Sequence, residues 1–210
     1  VYKRQTVDTG AEGGNITIGE IDGASQETVT LDAGTGTTSV GVIGSGTEIG
    51  VLTIGSSDNG GITLNGAITT DGAVTIDGPV TLATGAVSVT TANDAITFNH
   101  SIDGGQTLTL SSGSAAITFT GALGASTSLG GLTVNSAGAG NITFSSTIGD
   151  AENAGVVGTT AIGNAATNDL NFNSTIYSFN GATTITAKSG DTIDLGAVSY
   201  THLTLPTSND

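Results

Sequence analysis

Cysteine, methionine and tryptophan are absent from the 210 residues, and there are only two prolines and three basic residues. Without Cys there is no disulfide framework, no thiol nucleophile and no Cys-ligated zinc or iron–sulfur site. Two histidines, His100 and His202, are too few for a polyhistidine metal centre. Three Lys/Arg against 18 Asp/Glu, a net charge of −15, exclude the basic clusters that nucleic acid and anionic membranes require. No apolar run approaches the ~18 residues of a membrane-spanning helix. Neither a nucleic-acid partner nor membrane insertion is expected. Aromatics are 4 %, so the core cannot rest mainly on large rings. Disorder is disfavoured as well: hydrophobic residues are 36 %, charged residues 10 %, and the mean hydropathy is +0.19.

What the chain does have is one recurring triplet: an apolar residue, Thr, and a second apolar residue. It appears as Ile16-Thr17-Ile18, Val29-Thr30-Leu31, Leu52-Thr53-Ile54, Ile62-Thr63-Leu64, Val74-Thr75-Ile76 and Val80-Thr81-Leu82. It returns as Ile96-Thr97-Phe98, Leu108-Thr109-Leu110, Ile117-Thr118-Phe119, Leu132-Thr133-Val134 and Ile142-Thr143-Phe144, with variants at Val87, Leu170 and Ile193. Alternation of period two in short β-branched runs, punctuated by Gly, Asn, Asp and Ser, predicts short half-buried strands. No segment carries a helical apolar period. The Ala-rich stretch 150–169, interrupted by Gly155, Gly158 and Gly163, is expected to be a loop or extended insertion.

Triplet starts at 74, 96, 117, 142, 170 and 193 lie 22, 21, 25, 28 and 23 residues apart. Further apolar positions follow six residues after the first five of these starts: Val80, Ile102, Leu123, Ile148 and Ile176. A unit of about 21–28 residues with two or three short strands fits one coil of a β-solenoid. Such a coil cannot bury its apolar face alone, but coils stacked ~4.8 Å apart pair their backbones and bury stacked columns. The predicted fold is an all-β parallel β-helix of about eight coils, roughly 40 Å long. Thr points outward in it, and Gly and Asn/Asp at corners supply positive φ. Before Val74 the phase is ambiguous: starts at 16, 40 and 62, with partners at 29, 52 and 74, do not join the later series. Either an extra strand lies near 80–89 or half of the alignment is shifted. An antiparallel β-sandwich is the structural alternative.

The two ends differ from the rest. Residues 1–5, VYKRQ, and the SYTHLTLPT of residues 199–207 resemble translated sequencing-adapter read-through, of the kind that caps metagenomic fragments. Residues 1–5 and 199–210 are therefore set apart as scars, leaving 6–198 as the repeat region. That region holds 17 acidic residues and a single base, Lys188. If its end coils are truncated, the fragment is expected to self-associate end to end.

The stretch 117–150, ITFTGALGASTSLGGLTVNSAGAGNITFSSTIGD, resembles the β-strand repeats of large bacterial exoproteins, the filamentous-haemagglutinin-like adhesins and autotransporter passenger regions. The resemblance extends over about 16–197 and rests on repeat composition. It implies a right-handed parallel β-helix, export to the bacterial surface, and a role as an adhesin stalk or matrix component. It also implies a partner on a host or neighbouring-cell surface or in the extracellular matrix, with the receptor unspecified. No secretion domain is visible, and the repeats have no catalytic residue to carry over.

Candidate chemistry is sparse, and no catalytic, cofactor-binding or metal residue is assigned. Asp71, Asp77, Asp94 and Asp103 are candidates for a carboxylate group on neighbouring coils, as a polysaccharide-cleaving β-helix would need, but three of them precede Gly as ordinary turn pairs. With sugar-stacking aromatics nearly absent, no enzyme activity is expected. Weak Ca²⁺ binding at acidic turns stays open as an alternative, without an EF-hand or Gly-Gly-x-Gly-x-Asp array to support it. The outward residues Thr75, Thr97, Thr118, Thr143 and then Asn171 could form a ladder. Paired Thr-x-Thr is sporadic, at Thr107/Thr109, Thr118/Thr120 and Thr184/Thr186, and coil length varies, both of which weigh against a regular ladder. An ice-binding surface is the corresponding alternative to plain β-propensity. His100 and Pro79 read as corner residues. Phe98, Phe119, Phe144 and Phe172, all third in their triplets, read as a core column. Asn15, Asn141 and Asn173 head Asn-x-Thr sequons of little weight in a bacterial chain.

Overall fold

A computed structural model describes residues 4–24, 26–55 and 60–196. Residues 1–3 and 199–210 of the two set-apart ends, with His202, lie outside the described residues, whereas Arg4 and Gln5 open the first strand. In chain order the strands are β1 (Arg4–Asp8), β2 (Ile16–Ile21), β3 (Thr28–Asp32), β4 (Thr38–Ile43), β5 (Leu52–Gly55), β6 (Ile62–Leu64), β7 (Ile68–Thr70), β8 (Val74–Asp77), β9 (Val80–Leu82) and β10 (Val87–Thr91). They continue as β11 (Ile96–Phe98), β12 (Ile102–Asp103), β13 (Thr107–Ser111), β14 (Ile117–Phe119), β15 (Gly131–Asn135), β16 (Ile142–Phe144), β17 (Thr160–Ile162), β18 (Leu170–Phe172), β19 (Thr183–Ile185) and β20 (Ile193–Asp194). None of the described residues is helical.

Each strand pairs in parallel with its counterpart one coil away, never with its neighbour in sequence, which excludes the antiparallel sandwich. The result is a right-handed parallel β-helix of about eight turns. Face 1 is the ladder β1-β3-β5-β8-β11-β14-β16-β18-β20. The second sheet folds at β4, whose first half pairs with β6 and whose last residue, Ile43, pairs with Ile68 of β7. This makes two further faces. Face 2 runs through β6, β9 and β12, then continues as single bridges from Ile102 through Leu123 and Ile148 to Tyr177. Face 3 runs through β7, β10, β13, β15, β17 and β19.

Three expectations are corrected. The phase ambiguity disappears because Val29, Leu52 and Val74 already belong to face 1 and lead directly to Ile96. Ile16 and Ile62 belong to face 2, where Thr38 rather than Val40 is their register partner. Strands β9 and β10 are the ordinary second and third faces of their coil, not an insertion. Identical triplets on different faces cannot be told apart by spacing. On face 2, Ile148 pairs with Tyr177 and not with Ile176. The stretch 150–169 is not a loop throughout: β17 lies within it, paired to β15 and β19, and buried Val156 bridges Leu129 and Phe179. Its Ala and Gly residues conceal one short strand whose first flank is Thr160 instead of an apolar residue.

Inside, the apolar flanks of the triplets stack. One column of face 1 runs Val29, Leu52, Val74, Ile96, Ile117, Ile142 and Leu170, all buried. Beside it Leu31, Ile54 and Ile76 lead into the Phe column. Ring centroids of Phe98 and Phe119 are 5.8 Å apart, those of Phe119 and Phe144 4.7 Å, and those of Phe144 and Phe172 5.0 Å. The column ends with Tyr177 edge-on to Phe172 at 5.0 Å. Few rings are present, yet most of them share this one stack.

Two devices turn the corners. Between faces 3 and 1 a file of buried hydroxyls, Thr70, Thr91, Ser112 and Ser136, follows the strands inward. Thr70 donates to Gly72 O at 2.6 Å, Thr91 to Asp94 O, and Ser112 to Ala115 O at 2.6 Å. Each hydroxyl satisfies a corner carbonyl that the ladder leaves unpaired. Elsewhere glycines stack. A Cβ on Gly36 would lie 2.3 Å from Gly14 O, and one on Gly60 1.6 Å from Gly36 O. Likewise, Gly158 would meet Gly130 O at 1.9 Å and Gly181 would meet Gly158 O at 2.0 Å. Only 13 of the 34 glycines have positive φ. Close approach of successive coils, more than φ, explains the glycine content.

Candidate functional surfaces

The outward positions of face 1 form the most regular surface feature. The register aligns Thr6, Thr30, Thr53, Thr75, Thr97, Thr118 and Thr143 in one file, followed by Asn171 and Asp194. The ladder expected from Thr75 to Asn171 is present and extends three coils further toward the N-terminus. Period-two alternation produces it: each triplet buries its flanks, so its centre faces out. The proposed Thr pairs divide between faces. Thr118/Thr120 widens face 1, whereas Thr107/Thr109 and Thr184/Thr186 lie on face 3.

Face 3 is mixed by comparison, with Ser88, Thr109, Thr133, Ala161 and Thr184 in one file. The outward file of face 2, Thr17, Ser39, Thr63 and Thr81, ends on Asp103. Charge is distributed unevenly along the axis: residues 104–149 contain no charged side chain. This neutral belt was present in the sequence and went unused, because its meaning depends on the coils being stacked.

The four candidate carboxylates do not converge. Asp71 and Asp94 sit at the corner between faces 3 and 1, Asp77 closes β8 at the next corner, and Asp103 closes β12 at the third. Three of them are engaged by residues of other coils. Asp103 Oδ1 accepts from Ser126 N at 2.8 Å and Thr127 N at 2.9 Å in the following coil. Asp71 accepts from the Gln26 amide. Asp77 Oδ1 accepts from Asn99 Nδ2 at 3.4 Å and lies 3.5 Å from His100 Nε2. His100 is thus a half-buried corner residue tied to the coil before it.

The same inter-coil capping recurs. Asn15 Oδ1 accepts from Thr37 N at 3.0 Å, Asp22 Oδ1 from Gly46 N at 2.8 Å, and Asp169 Oδ1 from Thr192 N at 3.0 Å. The sequon residue Asn141 accepts from Asp169 N at 3.3 Å, so it too is a structural cap. Lys188 forms an exposed pair with Asp191 at 3.5 Å. In 150–169, Asp150 Oδ1 accepts from Glu152 N at 2.8 Å and Asn153 N at 2.6 Å. Those bonds to the ionised form, Asn153 first, hold the Asp150 carboxyl below its ordinary range.

A shallow depression of about 280 Å³ is lined by Gln26, Thr28, Gly50, Val51, Asp71 and Gly72. It lies at the small end of ordinary ligand clefts of ~300–1,000 Å³, and Val51 is the one large apolar side chain in its lining. Among the described residues no group of three or more His, Cys, Asp or Glu is placed to hold a metal ion. Among the described residues the most extended surfaces are the long faces of the solenoid. Fold and surface define a parallel β-helix with hydroxyl-bearing sides. Comparison with family models, with curated proteins and with solved structures finds no match to this chain.

Proposed function

We propose that the chain is a rigid structural segment, a stalk of a large bacterial exoprotein that acts at the cell surface or after secretion and holds adhesive parts away from it. The observation that supports this reading most directly is the continuity of face 1: nine strands in one ladder, of which those from β3 to β18 lie over a continuous buried core. A solenoid of this kind converts chain length into axial reach at ~4.8 Å per coil. Turns capped by the preceding coil resist splaying, and the Phe stack stiffens the interior. The likeness of 117–150 to exoprotein repeats supplies the surface setting and the adhesive context.

Single-molecule stretching of the chain between a bead and a surface tests the stalk role. A stalk holds its length and then sheds whole coils. Coils of 21 to 28 residues release about 70–100 Å each at ~3.3–3.6 Å per residue. Smooth elongation at low force, without steps of that size, overturns the reading.

A further inference from the structure

The face 1 ladder has properties that a spacer does not need. First, it is chemically uniform: seven consecutive coils present Thr, while the other two faces alternate Thr with Ser, Ala or Asp. Second, its hydroxyls are unspent. Among the described residues, the one side-chain hydrogen bond into the seven-Thr file is from Asn171 Nδ2 to Thr143 Oγ1 at 3.4 Å. Third, its strands keep one register from coil to coil, and stacked Phe rings with centroids 4.7–5.8 Å apart back its central part. Fourth, its central part carries no charge. Thr97, Thr118 and Thr143 are flanked outward by Ala95 and Asn99, Ala116 and Thr120, and Asn141 and Ser145.

The result is a row of paired methyl and hydroxyl groups repeating at ~4.8 Å, without charged flanks from Thr97 to Thr143. A glycan would need aromatic platforms or converging polar groups, and neither is present. A protein partner would need an apolar centre, and this row has none. Water molecules on the surface of ice repeat at nearly the same interval, are neutral, and both donate and accept hydrogen bonds. Each hydroxyl can join such a lattice while each methyl group occupies the gap beside it. The preordered row loses little entropy on engagement.

We propose that face 1, centred on Thr97, Thr118 and Thr143, binds ice. The inference is independent of the stalk reading, since either can hold without the other. Partition of the 210-residue chain into slowly growing ice, with inhibition of ice recrystallisation as a second readout, tests it. The wild-type chain is expected to enter the ice. Thr118→Lys, with its charge in mid-ladder, is expected to be excluded like a non-binding reference protein, and Thr109→Lys on face 3 to partition as wild type. Thr97→Gln, which lengthens the side chain without charge, is expected to fail as Thr118→Lys does and stands in if that variant does not fold by circular dichroism. Exclusion of the wild-type chain from ice overturns the proposal, as does equal loss from the face 3 substitution.

Discussion

Truncating Phe119 to alanine strikes the solenoid where its interior is most interdependent. The ring is 1 % exposed and lies between Phe98, inclined by 9°, and Phe144, inclined by 5°. Removing a fully buried Phe costs about 3–5 kcal/mol in lost transfer energy and cavity formation. Each aromatic pair adds about 0.5–1.5 kcal/mol beyond burial, and Phe119 takes part in two. Phe98 has one ring neighbour, because the next residue in its column is Ile76. Phe98→Ala should therefore cost about 1 kcal/mol less than Phe119→Ala. Phe119→Leu, which keeps most of the volume but not the stack, should cost about 1–2 kcal/mol. Urea unfolding followed by far-UV circular dichroism measures all three. The slope should be watched for loss of cooperativity, since each coil contacts only its neighbours. A loss below about 2 kcal/mol for Phe119→Ala, or equal losses for Phe98→Ala and Phe119→Ala, would refute the reasoning.

Gly158→Ala should destabilise by about 1–3 kcal/mol through overpacking, because the new methyl would lie 1.9 Å from Gly130 O. Gly85→Asn, in open space at φ +66°, should be nearly silent because Asn tolerates that conformation. Similar melting temperatures for the two variants would contradict the close-approach account. Burial, reinforced by the nearby Asp194 carboxylate and opposed by the hydrogen bond from Ser174 N, raises the Tyr177 phenol above its ordinary value. The neutral form is then favoured by folding. Its contribution is complete below about pH 10 and is lost as pH rises through the higher folded value. Tyr177→Phe should therefore flatten the alkaline fall in denaturation midpoint, and an unchanged alkaline profile would count against it.

The triplets made most strands of face 1 legible, because apolar-Thr-apolar admits a strand buried on one side and little else. Phe98, Phe119, Phe144 and Phe172 were recognisable as a column from their shared triplet position. The stretch 150–169 was not legible: Thr160-Ala161-Ile162 lacks the apolar first flank, and its pairing to β15 and β19 comes from coils already in place. The buried hydroxyls at Thr70, Thr91 and Ser112 look like any turn-preceding Ser or Thr until the corner closes over them. The four Asp residues read mainly as turn residues, with a carboxylate group as the minor alternative, and their distribution over three corners sets them apart.

Residue order alone establishes a β-solenoid with a coil of about 21–28 residues, an acidic surface, and Thr facing out. Local alternation and repeat length carry that information without reference to distant contacts. Folding in three dimensions settles which triplets stack. Every face uses the same motif, so register depends on corner geometry, on glycines that admit the previous coil's carbonyls, and on Asx side chains that cap the next coil. That register turns scattered threonines into one seven-coil file and leaves scattered aspartates apart.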